Sequence, residues 1–151
     1  MSVSLAEILP PSETTLVAIP PHVHVLILEE LDVVIARRYA REFAMQEGLS
    51  ERAIDALVTA TSEIVSNVIV HAKTGEFFLW AAREIHRHGV VVVVTDNGPG
   101  IANFEQALQD GYSTGHGLGL GLSSAKRLMD DFELASEAGA GTTVIMKKWA
   151  R

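Results

Sequence analysis

The stretch GVVVVVTDNGPG occupies residues 89–100 of the chain. Its five consecutive valines have no polar face, which indicates a strand that is buried on both sides. Asp96 stands where that strand ends, and Gly98 and Gly100 let the backbone turn sharply and approach a flat group closely. The stretch therefore predicts a central buried strand whose carboxyl end carries an acidic turn.

A carboxylate at the position of Asp96 can accept a hydrogen bond from an exocyclic amine such as N6 of adenine. Guanine carries an oxygen at the equivalent position, so such a carboxylate favours adenine. The same residues also fit an ordinary turn, because Asp, Asn, Gly and Pro are the residues that turns prefer. The stretch alone leaves both interpretations open.

A second glycine-rich segment, residues 115–121, precedes a predicted helix. Backbone N–H groups of such a loop and of the helix start can bind phosphate oxygens. The segment is not a Rossmann fingerprint, because Leu120 or Leu122 falls where the last glycine is needed, and it lacks the Gly-Lys ending of a P-loop. Its glycines also fit a mobile loop that packs closely on a helix.

Glu63 and Asn67 lie four residues apart on a predicted helix, so both side chains leave the same face. An amide oxygen and a carboxylate placed in this way can serve Mg²⁺, which prefers a few protein oxygens and completes its shell with water and phosphate. A solvated helix face would show the same spacing.

Around these motifs the chain has the order β-α-α-β-β-α-β-β. We expect the first helix to be capped at Asp32 and to end at Gly48, and the second to open at Ser50. Predicted strands are 23–28, 76–85, 89–95, 132–136 and 142–149, and predicted helices run to Met45, over 52–72, 103–109 and 120–130. This order predicts an α/β (α+β) two-layer sandwich, with a mixed, mainly antiparallel sheet and helices on one face.

Residues 1–22 are interpreted as an N-terminal extension, in which Thr14–Ile19 is a candidate edge strand, and residues 23–151 as a single domain. The chain has 151 residues, no cysteine and a net charge of -7. That charge argues against nucleic acid or an anionic membrane as a partner. The apolar runs are too short to span a bilayer and no signal peptide is evident, so a cytoplasmic location is expected.

The histidines do not form a metal site by their spacing and are expected on the surface. His71 follows Asn67 by four residues and is a candidate for the entrance of the site or for a helix-end charge. Trp80 and Trp149 are expected to be packing residues.

Taken in order, the four motifs resemble the nucleotide-binding boxes of the GHKL (Bergerat-fold) ATPase and kinase superfamily. They are Glu63 with Asn67, Asp96 with Gly98 and Gly100, Gly117 with Gly119 and Gly121, and Gly141-Thr142-Thr143. Finer features, such as residues 110–114 and 126–130, are similar to the serine/threonine kinases of bacterial stressosomes and to anti-sigma-factor serine kinases.

The resemblance implies ATP and Mg²⁺ as ligands. It gives Asn67 the role of holding Mg²⁺, and Glu63 that of the base toward a substrate hydroxyl. It makes Asp96 the adenine-binding residue, with Gly98, Gly100 and Thr143 beside it. The phosphates would be held by the run Gly117, Leu118, Gly119, Leu120, Gly121 and Leu122.

By the same resemblance the chain is a serine/threonine protein kinase that phosphorylates a STAS-domain antagonist protein in a partner-switching pathway. A PP2C-type phosphatase or a sigma factor is a further expected partner. Residues 101–116 would form a lid over the nucleotide, although this lid has no Lys or Arg to place near the terminal phosphate. The alternative is an anti-sigma or phosphatase-activating binding module that uses ATP as a structural ligand.

Overall fold

A computed structural model describes residues 21–98, 120–137 and 139–150 of the chain. The elements are, in chain order, β1 (Val23–Ile27), α1 (Glu30–Gln46), α2 (Glu51–Asn67), a π-helical turn (Val68–Ala72), β2 (Gly75–Arg83), β3 (His88–Asp96), α3 (Leu120–Leu128), β4 (Asp131–Glu137) and β5 (Gly141–Trp149). The predicted edge strand at 14–19, the helix at 103–109 and the lid fall outside the described residues.

The strands form one sheet in the order β1-β2-β3-β5-β4. The prediction of a two-layer α+β fold is confirmed, but the sheet is not mixed: each pairing of the described strands is antiparallel. The absence of a parallel pair follows from the position of β4, which the chain reaches from β3 through α3. β4 runs in the same direction as β3, but β5 lies between them, so the two strands do not form a parallel pair.

The valine strand β3 lies in the middle of the sheet, as predicted, because both of its faces are covered. Val90, Val92 and Val94 belong to the main core, together with residues of α1, α2 and α3. Val91 and Val93 point to the opposite face, where they pack with Phe78, Trp80, Ala82, Ile145 and Trp149. Trp80 and Trp149 are therefore packing residues, as the sequence predicted.

The helix starts and ends follow from local chemistry. Ser50 caps α2 as predicted, since its Oγ accepts a hydrogen bond from the Ala53 N–H at 3.2 Å. The prediction of Asp32 as the cap of α1 is wrong: α1 begins at Glu30, and Asp32 lies in its first turn. Its carboxylate instead reaches back to the N–H groups of Leu28 and Glu29, at 2.9 and 3.0 Å, which satisfies donors that the helix leaves unpaired.

The hairpin between β2 and β3 turns at residues 84–87, slightly earlier than predicted. The Glu84 N–H donates to the Arg87 carbonyl at 2.8 Å, and the Arg87 Nε donates to the Glu84 carboxylate at 2.7 Å. These contacts close the turn and bring His88 into the strand.

The helix predicted over 52–72 changes from α-helical to π-helical hydrogen bonding near its end. It is α-helical up to Asn67 and continues as the π-helical turn. Lys73 then ends it with φ 75°, and its N–H donates to the Val68 carbonyl at 2.8 Å. By length and composition residues 51–72 could cross a membrane, but 44% of the apolar window is buried inside the fold, as expected of a helix that packs on a sheet.

Candidate nucleotide-binding site

Asp96 lies at the carboxyl end of β3, where the sequence placed it. Its Oδ1 accepts hydrogen bonds from the backbone N–H groups of Gly98 and Thr142, at 2.9 and 3.2 Å. Within the described residues both of its hydrogen bonds go to Oδ1, which leaves Oδ2 to accept from a ligand. The backbone of two segments therefore fixes the direction in which this carboxylate points.

Burial raises the pKa of the Asp96 carboxyl above its ordinary value, and this effect exceeds the opposing ones. The two backbone hydrogen bonds lower the pKa, as does the charge of His71. His71 belongs to the π-helical turn, near enough to Asp96 for its charge to act on that carboxyl. A half-buried carboxylate with a shifted pKa is typical of a functional site.

Three glycines surround Asp96, and each stands where a side chain would collide. A Cβ on Gly141 would lie 2.1 Å from the Asp96 carbonyl oxygen, and one on Gly75 would lie 2.4 Å from the Thr95 carbonyl oxygen. A Cβ on Gly98 would lie 2.6 Å from the Cβ of Ala72. The sequence singled out Gly98 and Gly141. It missed Gly75, whose only signal was a turn before a strand.

The terminal threonine motif meets the site through Thr142. Thr142 pairs with Asp96 across the sheet, and its hydroxyl lies 3.0 Å from the Ser136 hydroxyl. Thr143 pairs with Thr95, and side chains alternate along a strand, so Thr143 shares the face of Ile145, away from the helices. The geometry thus favours Thr142 over the predicted Thr143 as the neighbour of a ligand on Asp96.

The second glycine segment reaches the site at Gly121, in the first turn of α3. A Cβ on Gly121 would lie 2.7 Å from Oε2 and 3.0 Å from Cβ of Glu63. The structure therefore brings Glu63 and this glycine into contact, although they are far apart in the chain. Gly100, Gly117, Leu118 and Gly119 lie outside the described residues.

The neighbouring Leu120 is the first residue of α3, and Leu122 is 2% exposed in the main core. The side chain of Leu122 is therefore used for packing between α3 and α2, and its backbone is the part that remains for phosphate binding.

Asn67 is the last residue of α2, one turn beyond Glu63. Its Nδ2 is buried and has no hydrogen-bond partner within the described part of the chain. An unmatched buried amide costs about 1–3 kcal/mol, so a ligand that accepts from it would stabilise the site. The described residues contain no group of three His, Asp or Glu side chains suited to a metal.

Comparison with known proteins agrees with this geometry. A model of the histidine kinase-like ATPase domain family matches residues 28–148. The serine/threonine-protein kinase RsbT of Bacillus subtilis is 37% identical over 127 residues, which cover 84% of this chain and 96% of that protein. An anti-sigma F factor of Clostridium beijerinckii is 35% identical over 100 residues, covering 63% of this chain and 70% of that protein.

Two solved structures share the fold. A Mycobacterium tuberculosis protein with RsbU and RsbW domains superposes with a TM-score of 0.60 at 24% identity, covering 87% of this chain and 33% of that one. The mycobacterial sensor histidine kinase MprB gives 0.52 at 17% identity, covering 85% of this chain and 99% of that one.

The predicted superfamily, the predicted fold and the predicted enzyme class, a serine/threonine protein kinase, are confirmed by these matches. Members of all four ordered motifs lie around Asp96 and Glu63 in the described residues. The chain belongs to the histidine kinase-like ATPase domain family.

Proposed function

We propose that this protein is a cytoplasmic, ATP- and Mg²⁺-dependent kinase of a partner-switching pathway, which phosphorylates a serine or threonine of a STAS-domain antagonist protein. The observation that carries the proposal is the setting of Asp96, whose Oδ1 is held by two backbone N–H groups within a ring of glycines. Such a carboxylate is positioned to accept from an exocyclic amine, which supports adenine as the base.

The other roles follow from the elements around Asp96. Thr142 and the glycine backbone would border the base, and the start of α3 would supply N–H groups to the phosphates. Asn67 would contribute its amide oxygen to Mg²⁺ while its Nδ2, unmatched within the described residues, donates to a phosphate oxygen. Bound Mg²⁺ would neutralise charge on the phosphates during transfer.

Glu63 would accept the proton of the substrate hydroxyl. Its side chain is exposed and lies against the first turn of α3, so it stands between the proposed phosphate site and solvent, from which a protein substrate arrives. Proton transfer by a positioned carboxylate contributes about 10²–10⁴-fold to a rate. Residues 101–116, the expected lid, contain no Lys or Arg, so the charge of the transition state would rest on Mg²⁺ and backbone N–H groups.

Nucleotide binding is tested by thermal unfolding with and without ATP and Mg²⁺. We expect ATP to raise the melting temperature of the wild-type protein and GTP to raise it less. Asp96→Asn should lose the response to ATP. If wild type does not respond, or if Asp96→Asn responds equally, the adenine-binding role of Asp96 is wrong.

Phosphoryl transfer is tested with γ-labelled ATP and purified STAS-domain proteins from the same genome as the kinase. Glu63→Gln should retain the ATP-induced rise in melting temperature and lose most of the transfer. The anti-sigma F factor relatives favour a binding module as the second candidate. Binding of ATP without transfer to any such protein, together with capture of a sigma factor, would select that candidate.

A further inference from the structure

The outward face of α1 carries large apolar side chains that are exposed to solvent. Leu31, Val34 and Met45 are 58%, 56% and 62% exposed. The opposite face of the same helix is already packed, since Ala36 and Ala40 are fully buried in the main core. An apolar line on the outer side of a packed helix is a candidate interaction surface.

The spacing of this line is that of a heptad repeat. It consists of exposed residues that follow one another at steps of three, four, three and four positions, namely Leu31, Val34, Arg38, Arg41 and Met45. These steps are the a and d positions by which one helix packs along another in a coiled coil. From its first to its last residue the line is about 21 Å long, at about 1.5 Å per residue. We call this line the α1 stripe.

Two arginines stand inside the α1 stripe, and each already has a carboxylate neighbour. The Arg38 Nε donates to the Glu42 carboxylate at 3.2 Å, and the Arg41 Nη1 lies 3.5 Å from Oδ1 of Asp55 on α2. Both pairs are at the surface, where such pairs are weak and their charges stay solvated. A guanidinium has several N–H donors, and each of these contacts uses a single one. The other donors can bind the carboxylates of a partner.

A second copy of the chain does not suit the α1 stripe. Arg38 is the middle one of its five residues, so two copies would place Arg38 against Arg38 in a parallel and in an antiparallel pair alike. Like charges that face each other across an interface are unfavourable. The arrangement therefore favours a different helix, one that supplies carboxylates opposite the arginines.

We propose that the α1 stripe is the docking site for an amphipathic helix of a partner protein. That helix has apolar side chains at both ends of its contact line and Asp or Glu at the central positions. Its apolar ends would cover Leu31, Val34 and Met45, and its carboxylates would pair with Arg38 and Arg41, whose aliphatic stems extend the apolar contact. None of the residues placed at the candidate nucleotide site belongs to α1, so the proposal does not depend on ATP binding or on kinase activity.

The test uses the full chain, labelled with ¹³C at the methionine methyl groups, and synthetic helical peptides about three heptads long. The peptides carry leucine at the a and d positions, except for glutamate at the two that would face Arg38 and Arg41. Two designs place these glutamates for a parallel and for an antiparallel pair. We expect one of them to shift the methyl signal of Met45 and to leave that of Met146, which is 0% exposed, unchanged. Met45→Leu assigns the reporter signal.

The apolar part of the stripe is tested with a matched pair of variants on the same helix. Leu31→Gln should weaken binding of the peptide about fivefold or more, because the partner would bury the part of this side chain that is now exposed. Tyr39→Gln removes an exposed apolar side chain that lies outside the stripe and should bind as wild type does.

The charged part is tested by charge reversal. Arg38→Glu should weaken binding about tenfold or more, because an ion pair becomes a repulsion. Lys126→Glu makes the same change of charge at an exposed position of α3 and should bind as wild type does. Melting temperatures of the four variants show that they fold.

Three results would overturn the proposal: no shift of the Met45 signal, equal binding of peptides with lysine in place of the central glutamates, or equal loss of binding in Leu31→Gln and Tyr39→Gln. Sedimentation of the chain alone distinguishes a second copy, since a dimer that Leu31→Gln disperses would assign the stripe to self-association instead. A shift of the Met45 signal by vesicles of phosphatidylglycerol, with none by the peptides, would assign it to a membrane surface.

Discussion

Gly141 and Gly139 form a matched pair that tests how the site around Asp96 is built. Both have positive φ, 94° for Gly141 and 82° for Gly139. Gly139 lies between β4 and β5, and Gly141 is the first residue of β5. They differ in their surroundings. A Cβ on Gly141 would lie 2.1 Å from the Asp96 carbonyl oxygen, whereas a Cβ on Gly139 would meet nothing within 4 Å.

The expected costs follow from this difference. Alanine at either position adds the strain of a left-handed backbone, about 1–2 kcal/mol. At Gly141 the backbone must also move by about 1 Å to relieve the overlap, and overpacking of this kind costs a further 1–3 kcal/mol or so. We therefore expect Gly141→Ala to lower the free energy of unfolding by about 2–5 kcal/mol and Gly139→Ala by about 1–2 kcal/mol.

The assay is thermal and urea unfolding of both variants, each with and without ATP and Mg²⁺. For a domain of this size 1 kcal/mol corresponds to about 2–4 °C. Gly141→Ala should also lose the ATP-induced rise in melting temperature, because the displaced backbone carries Asp96, and Gly139→Ala should keep it. Equal losses of stability in the two variants would refute the steric reasoning, whatever ATP does.

Three further predictions concern single side chains. Because burial raises the pKa of Asp96, the ionised carboxylate is the form that folding penalises. Without nucleotide, Asp96→Asn should therefore unfold at the same or a higher temperature than wild type at neutral pH, and this advantage should shrink as the pH falls through the raised pKa. A variant that melts lower than wild type at every pH would contradict this. Thr61 is 0% exposed and its hydroxyl has no hydrogen-bond partner in the described residues, so Thr61→Val should raise the free energy of unfolding by about 1 kcal/mol. Thr61→Ser, which keeps the hydroxyl and loses a methyl group, should lower it by a similar amount, and urea unfolding distinguishes the two. Gly121→Ala should change stability by less than about 1 kcal/mol, because the atom it meets at 2.7 Å is the end of the Glu63 side chain. The same change should lower phosphoryl transfer at least about tenfold by displacing that carboxylate, and unchanged transfer would argue against Glu63 as the base.

The elements with a strong local signal were predicted well. Five valines in a row have to be buried on both faces, and the structure places them in the middle of the sheet. Ser50 caps α2 and Gly48 follows α1 with φ 81°, as their residue types predicted. The position of Asp96 at the end of the central strand follows from the same pattern.

Other features depend on contacts between distant segments and were missed for that reason. The error at Asp32 has a local cause instead: Asp32 lies in the first turn of α1 and accepts from the N–H groups of Leu28 and Glu29, so it is not the N-cap. The neighbour of Asp96 is Thr142 and not Thr143, and this depends on the register of β5 against β3. A shift of one residue in that register would exchange the faces of both threonines.

The sequence by itself determined the valine strand with Asp96 at its end, the order of strands and helices, and the four motifs that identify the family, because each is a local pattern of burial or of backbone freedom. Only the tertiary structure decided that Gly75, Gly98 and Gly141 all surround Asp96 and that Gly121 touches Glu63. Those contacts join residues up to several dozen positions apart. They exist because the antiparallel register brings the ends of β2, β3 and β5 together, and because α3 packs across the end of α2 that carries Glu63.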